Sequence, residues 1–303
     1  MQVHAGLHRH RTKTMIRIVA MLIAVAACAP AQEMLSGQSA YDLTKEVVAF
    51  GPRPSGSAAA KKMQAHIAAK LKSWGWLVEE DAWVAQTPVG RVAMKNIIAK
   101  KPGASANARI LAVSGHIDTK RFPFPFVGAN DSGASTGLLL ELARVLRNAS
   151  FKHEVRLVFF DGEEAMKDWT DEDSLYGSRR TAERWQKDGT LARVDALINL
   201  DMIGDRDLRI VREQYSSEPL MRLIWQVAGE LGYSRHFGND SYAIADDHVP
   251  FLRLGVRAAD LIDFSYGPDN GWWHTQQDTM DKLSPKSFEV VGRVVAETLR
   301  RLD

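Results

Sequence analysis

The chain has 303 residues, 25% charged and 45% hydrophobic, the balance of a globular protein with one substantial core rather than of a disordered or membrane-embedded chain. Net charge is +2, and the first 31 residues hold four cations and no acid, so removing those four leaves −2 for the rest. Such a body demands no basic face, and nucleic-acid binding drops out of the expected functions.

At the front, Arg9, Arg11, Lys13 and Arg17 lead into an apolar run from Ile18 to Ala27, and small residues follow. This is the pattern of a secretion signal over residues 1–31. Two processing sites compete. Ala29-Pro30-Ala31 suits cleavage before Gln32, whereas Val25-Ala26-Ala27-Cys28 resembles a bacterial lipobox that would lipidate Cys28. A start at Met15 would give a tighter signal. The run is short for a membrane span, so the mature protein is expected without a transmembrane domain, exported to the periplasm or secreted, or lipid-anchored through Cys28. Cys28 is the only cysteine. The mature body therefore has no intramolecular disulfide, and any metal in it is held by oxygen and nitrogen alone.

Residues 32–303 show no internal repeat and no long linker, and are expected to form one catalytic domain. A helix fits Ala58 to Trp74. Trp83 to Lys100 is expected to form a hairpin turning at Thr87-Pro88-Val89-Gly90. Strands are predicted over Arg109 to Val113, Val155 to Phe160, Ala196 to Leu200 and Ala258 to Ile262. Their near-continuous apolar runs suit a sheet covered on both faces. Helices are predicted over Ser135 to Arg147, Ser178 to Gln186, Pro219 to Leu231 and Pro285 to Leu302. The alternation implies an α/β fold, an αβα sandwich on a mixed, centrally parallel sheet, with the hairpin at one edge. No coiled-coil seam is patterned, so a monomer is expected.

Polar clusters follow the strands directly. Ser114-Gly115-His116-Ile117-Asp118 follows one, Asp161-Gly162-Glu163-Glu164 the next, and Asp201-Met202-Ile203-Gly204 a third. Ligands of parallel α/β sheets bind outside the carboxyl ends of the strands, so these residues should converge on one rim. Adjacent acids in a loop are ordinarily solvated charge. Here they end a buried strand, where neighbouring side chains point in different directions. Asp131, in Gly128-Ala129-Asn130-Asp131-Ser132-Gly133, Glu164 and His274 offer two carboxylates and one imidazole. That set suits one zinc ion with a position left open for substrate. Glu163 then stands spare beside the metal, where a proton-shuttling carboxylate belongs. Trp169, Trp272 and Trp273 lie in loops beside these candidates and would form an apolar collar. Asp246-Asp247-His248 adds an acidic cluster before an apolar segment, either a capped turn or a pair that shares a proton or orients a neighbour.

At these residues the chain resembles the animal-type glutaminyl-peptide cyclotransferases, within the wider M28 clan of zinc aminopeptidases. The matching stretches run from Gly51-Pro52-Arg53-Pro54-Ser55-Gly56-Ser57 to the C-terminal helix. Gly115-His116-Ile117-Asp118, Asn130-Asp131, Glu163-Glu164, Asn199-Leu200-Asp201-Met202 and Trp273-His274-Thr275 are shared with the whole clan in whole or part. Two stretches point to the cyclase branch: Phe160 to Ala165 continuing through Trp169 to Arg179, and Asp246 to Arg253. The resemblance implies that Asp131, Glu164 and His274 bind one zinc ion per chain, and that Glu163 is general base and then acid. It further implies that Asp201 and Asp246 join Glu163 in an acidic network, and that Trp169, Trp273 and Ile244 meet the substrate. The implied substrates are peptides or proteins with N-terminal glutamine, converted to pyroglutamate with loss of ammonia.

Departures exist. The loop Asp263 to Gly271 is longer than in the animal enzymes, so no aromatic residue is carried over from it. The animal pattern's disulfide cannot form. Asn199-Leu200-Asp201-Met202 reads more like the two-metal peptidases, which keeps open a second zinc site through His116 and Asp201 with Asp131 bridging. The alternative function is accordingly a two-zinc aminopeptidase that activates water.

Overall fold

The computed structural model describes residues 1–2 and 34–303. The signal expected over residues 1–31, with Cys28, falls outside the described residues apart from its first two. Among the described residues no helix is long and apolar enough to cross a membrane.

Six strands build the main sheet: β1 (Leu77–Thr87), β2 (Gly90–Lys101), β3 (Ile110–His116), β4 (Glu154–Phe160), β5 (Val194–Asp201) and, last in chain order, β8 (Ala258–Ile262). Their spatial order is β1-β2-β4-β3-β5-β8. β3, β4, β5 and β8 run parallel, while β1 and β2 are antiparallel to each other and β2 is antiparallel to β4. The expected parallel centre with a hairpin at one edge is therefore what forms.

The apolar strands are shared between two faces by alternation. Leu111 and Val113, with Leu157 and Phe159, enter the larger core, whereas Ile110, Ala112, Val158 and Phe160 enter the smaller. The larger core is covered by α1 (Gly37–Val48), α2 (Ala58–Ser73), α3 (Ser135–Leu146), α5 (Glu218–Glu230) and α7 (Pro285–Leu302). The smaller is covered by α4 (Tyr176–Lys187) and the short α6 (Val249–Arg253), which bring Trp185 and Phe251 together. Serine hydroxyls set the starts of α2 and α7: Ser57 accepts from Ala60 N–H, and Ser284 accepts from Lys286 N–H ahead of Pro285.

Two features were not anticipated. α1 has a serine cap at Ser36 and buries Ala40, Leu43 and Val47 at helical spacing. A separate two-stranded parallel ladder pairs β6 (Ile210–Glu213) with β7 (Phe237–Tyr242). It is too short and too polar to stand out as a strand pattern, yet the segment leaving β7 forms one wall of the site.

Candidate active site

The carboxyl ends of the parallel strands carry the polar clusters to one rim. His116 ends β3, Asp201 ends β5, and Asp161 to Glu164 leave β4. Asp131 sits in a π-helical turn, Ala129–Ala134, just ahead of α3. Gly128 opens that turn with φ +49, and a Cβ there would lie 2.1 Å from Asp131 O, so glycine is obligatory. His274 takes a left-handed φ of +55, uncommon for a non-glycine residue, and its ring faces the rim.

These placements produce two overlapping clusters. One donor atom each from Asp131, Glu164 and His274 lie within 4.8 Å of one another, and the same holds for His116, Asp131 and Asp201. His274 Nε2 is 3.1 Å from Asp131 Oδ2 and 3.2 Å from Glu164 Oε1. His116 Nε2 is 3.3 Å from Asp131 Oδ1 and 3.2 Å from Asp201 Oδ1. Asp131 is thus common to both, facing one imidazole with each oxygen. Two carboxylates and a histidine, converging and buried, fit a divalent ion of the zinc type.

Burial and mutual repulsion set the protonation of this rim. Burial, with Glu164, Asp246 and Asp247 adding to it, pushes the Glu163 carboxyl well above its ordinary range, and His116 pulls the other way. Burial and Asp131 raise Glu164. Burial also lifts Asp201 to about 7. Burial would raise Asp131 too, but hydrogen bonds with His116 and His274 hold it well below the usual range. Burial disfavours the His274 cation, yet Asp131 and Glu164 lift it to about 9. A rim with so many acids and so few cations is built to receive positive charge.

Other residues hold the ligands in place. Asp278 accepts from Asn130 N–H at 2.8 Å and Asp131 N–H at 3.1 Å, and the Tyr266 hydroxyl donates to it at 2.8 Å. Arg53 is fully buried and donates to the carbonyls of Ile117, Val127 and Gly128 and to Ser132 Oγ. It therefore ties the Asp131 turn to the end of β3. Asp118 accepts from Gly162 N–H and Glu163 N–H, which orients the backbone of Glu163. None of these three roles shows in sequence, because each residue acts through backbone groups far away in the chain. The Gly-Pro-Arg-Pro stretch was the one available signal for Arg53.

A cavity of about 380 Å³ opens over the two donor clusters, lined by Asp131, Glu163, Glu164, His274, Asp201 and Asp246 on its polar side. Trp169, Ile244, Phe264 and Trp273 supply the apolar side. All the anticipated substrate-contacting residues line this space. Trp169 is 46% exposed and so stands at the mouth, while Trp273 stacks on His274 at 4.0 Å between ring centres. Trp272 corrects one expectation: it turns away, packing edge-on to Tyr266 and beneath the Lys282 ammonium. Both residues lie in a turn, and of the pair only Trp273 lines the cavity. Phe264, from the loop that discouraged any carry-over, takes the vacated place, edge-on to Trp273 at 5.0 Å. Phe122 and Phe126, also unanticipated, meet the His274 ring edgewise at 5.4 and 5.9 Å. Lys120 Nζ lies 3.3 Å from Glu164 Oε2.

Residues 96–299 match the family model described as Peptidase family M28. A glutaminyl-peptide cyclotransferase of Drosophila melanogaster is 32% identical over 272 residues, covering 80% of this chain and 75% of that protein. The chain belongs to the glutaminyl-peptide cyclotransferases of family M28. A glutaminyl-peptide cyclotransferase-like protein of Bos taurus is 34% identical over 254 residues, covering 74% of this chain; the chain spans only 64% of that protein's length. Among solved structures, an Acidobacteriales bacterium glutaminyl cyclase superposes with a TM-score of 0.85 at 38% identity, over 90% of this chain and 98% of that one. A Zn-dependent exopeptidase from Parabacteroides distasonis superposes with a TM-score of 0.79 at 26% identity, over 89% and 99%. The glutaminyl-peptide cyclotransferase fold and the peptidase fold are thus one scaffold, and the chemistry must be argued from the rim.

Proposed function

We propose that this chain is a glutaminyl-peptide cyclotransferase that converts N-terminal glutamine of peptides or proteins to pyroglutamate and releases ammonia. The observation that carries the proposal is the spare carboxylate: Glu163 stands next to a buried Asp131–Glu164–His274 donor set, under an aromatic cavity of 380 Å³. Family membership supports it. Asp131, Glu164 and His274 would hold one zinc ion per chain, which when bound supplies Lewis acidity toward a carboxamide oxygen.

The nucleophile is the substrate's own α-amine, so the protein need not supply one. The amine nitrogen bonds to the side-chain carboxamide carbon, and the bond from that carbon to its nitrogen breaks. Glu163 takes a proton from the amine and returns it to the departing nitrogen, which leaves as ammonia. Its raised affinity for protons suits a group that must both accept and deliver one. Asp201 and Asp246 face the same space and would share that proton traffic. Trp169, Trp273 and Ile244 would fold the flexible glutamine side chain toward ring closure, lowering the entropic part of the barrier.

One observation favours a second reading, a two-zinc aminopeptidase: His116, Asp131 and Asp201 also converge. In the cyclase, His116 and Asp201 act instead as partners that orient the Asp131 and Glu163 carboxylates. Ammonia release from a short glutamine-led peptide, lost with chelator and accompanied by one zinc per chain, is the expected result. Release of free amino acids with two zincs per chain would sink the cyclase. The domain reading is likewise a proposal: residues 1–31 direct export, to periplasm or exterior, and 32–303 act as a monomeric catalytic domain. Mass spectrometry of the exported form, showing Gln32 or a lipidated Cys28 at its start, decides between the two processing sites.

A further inference from the structure

The cavity wall between β7 and α6 has no regular structure of its own. Ala243 to Asp246 is irregular chain, yet it brings Ile244 and Asp246 to the cavity. Its neighbours hold it at few points. Asn199 Nδ2 of β5 donates to Asp246 Oδ2 at 2.8 Å from the sheet side. From the other side the anchor is a single carboxylate, Glu213, the last residue of β6.

Glu213 Oε1 accepts from Ile244 N–H at 3.2 Å, and Oε2 lies 2.9 Å from His248 Nε2. These two anchors fall two residues before and two residues after Asp246. The same carboxylate closes its own turn by accepting from Tyr215 N–H, Ser216 N–H and the Ser216 hydroxyl. The side chains of Glu213 and His248 are both fully buried, and neither lines the cavity. Burial pushes the Glu213 carboxyl up, but His248 and the turn N–H groups more than offset it. A buried carboxylate is a weak device for stability, since apolar side chains of like volume commonly serve as well. A charge kept here needs another use, and the wall is what it touches.

We propose that Glu213 and His248 are positioning residues for the substrate wall, and that their pairing sets where Ile244 and Asp246 stand in the cavity. Ile244 then bounds the depth available to a glutamine side chain, and Asp246 is kept within reach of the Glu163 proton. This rests on the cyclase reading of the cavity, so the test has one arm that needs no turnover.

Glu213→Gln keeps the shape but leaves one oxygen to accept where two did, so Ile244 N–H, Ser216 N–H and His248 Nε2 cannot all be held as before. The first arm is amide hydrogen exchange on the zinc-loaded full chain. Residues 243–248 should exchange about tenfold faster in Glu213→Gln and in His248→Gln, with β3, β4 and β5 unchanged, as expected for one lost bond to a charged group. Unchanged exchange in 243–248 overturns the proposal. The second arm is steady-state kinetics on a glutamine-led peptide, with zinc content measured alongside. kcat/KM should fall about tenfold at unchanged zinc content, and Ile244→Ala should cost less in the Glu213→Gln background than alone, because coupled residues are not additive. Strictly additive losses overturn it, as do zinc loss or misfolding in both variants, which would make the pair merely structural. A wild-type protein without cyclase activity defeats the proposed function, while the exchange arm still judges the anchor.

Discussion

The two rims of the parallel sheet use the same residue types to opposite ends. At the amino rim charges are matched: Asp195 lies 2.7 Å from Arg109, 2.8 Å from Arg257 and 3.6 Å from His153, and Asp303 pairs with His153. Glu154 sits between Arg156 and Arg193, and although burial opposes it, those cations hold its carboxyl below the usual range. At the carboxyl rim acids outnumber cations, and Glu163, Glu164 and Asp201 are driven up instead, with Asp131 alone held down by its two histidines. The first arrangement is already satisfied and can only stabilise. The second is incomplete until something positive arrives. A cluster of charges therefore indicates function by its imbalance and burial, not by its size.

The contrast can be broken most severely at Glu163. Glu163→Gln should lower kcat by about 10² to 10⁴ on a glutamine-led peptide, the range for a positioned acid–base group, while zinc content stays that of the wild type. A wild-type rate would end the role assigned to it. Next is the carboxylate behind Asp131, the proposed zinc ligand. Asp278→Asn cannot accept both backbone N–H groups and the Tyr266 hydroxyl as before, and zinc affinity in a competition titration should drop about 10- to 100-fold. Unchanged affinity would mean that the Asp131 turn holds its own shape.

pH sharpens the contrast. Burial raises Asp161, Asp201 and Asp278 to about 7. Groups raised on folding contribute stability that is full below their unfolded value near 4 and is lost as pH rises through 7. Chelator-treated protein should accordingly melt at higher temperature at pH 5 than at pH 8. Zinc, which needs deprotonated ligands, should stabilise more at pH 8 than at pH 5. Glu154 and Asp303, both lowered, act oppositely and lose their contribution only below about 4. A melting temperature that stays flat or rises from pH 5 to 8 without zinc would show that Asp161, Asp201 and Asp278 are not raised on folding. The smallest effect belongs to Asp195→Ala. Its cations Arg109 and Arg257 are 59% and 45% exposed, so the loss should be about 1 kcal/mol or less, with kcat/KM untouched.

Much of this was legible in the chain. β3, β4, β5 and β8 show as apolar runs because both faces of the sheet are covered, and each announces the rim by the polar residues that follow it. Glu163 and Glu164 could be named because their motif stands at such a strand end, and Asp131 and His274 from the short motifs Asn130-Asp131 and Trp273-His274-Thr275. Trp169 and Trp273 could be named from their loops beside the candidate ligands, Ile244 came from resemblance alone, and the cavity contains all three. What stayed hidden is long-range and made through backbone. Arg53 grips carbonyls 64 to 75 residues away, and Asp278 grips N–H groups 147 and 148 residues away. No local pattern encodes such bonds. Phe264 was hidden for a different reason: which of several loop aromatics faces a cavity depends on turns that composition does not fix. β6 and β7 are too short to carry a periodic signal, which is why Glu213 went unnoticed.

The clustered donors have a kinetic side. Glu164 and His274 are separated by 110 residues along the chain, yet their side chains meet at 3.2 Å. Such a chelate assembles only after the slow, distant contacts of the topology have formed. Capture of the ion should thus mark the close of folding rather than its onset. A metal-sensitive dye followed during refolding should therefore respond last, after the sheet has formed.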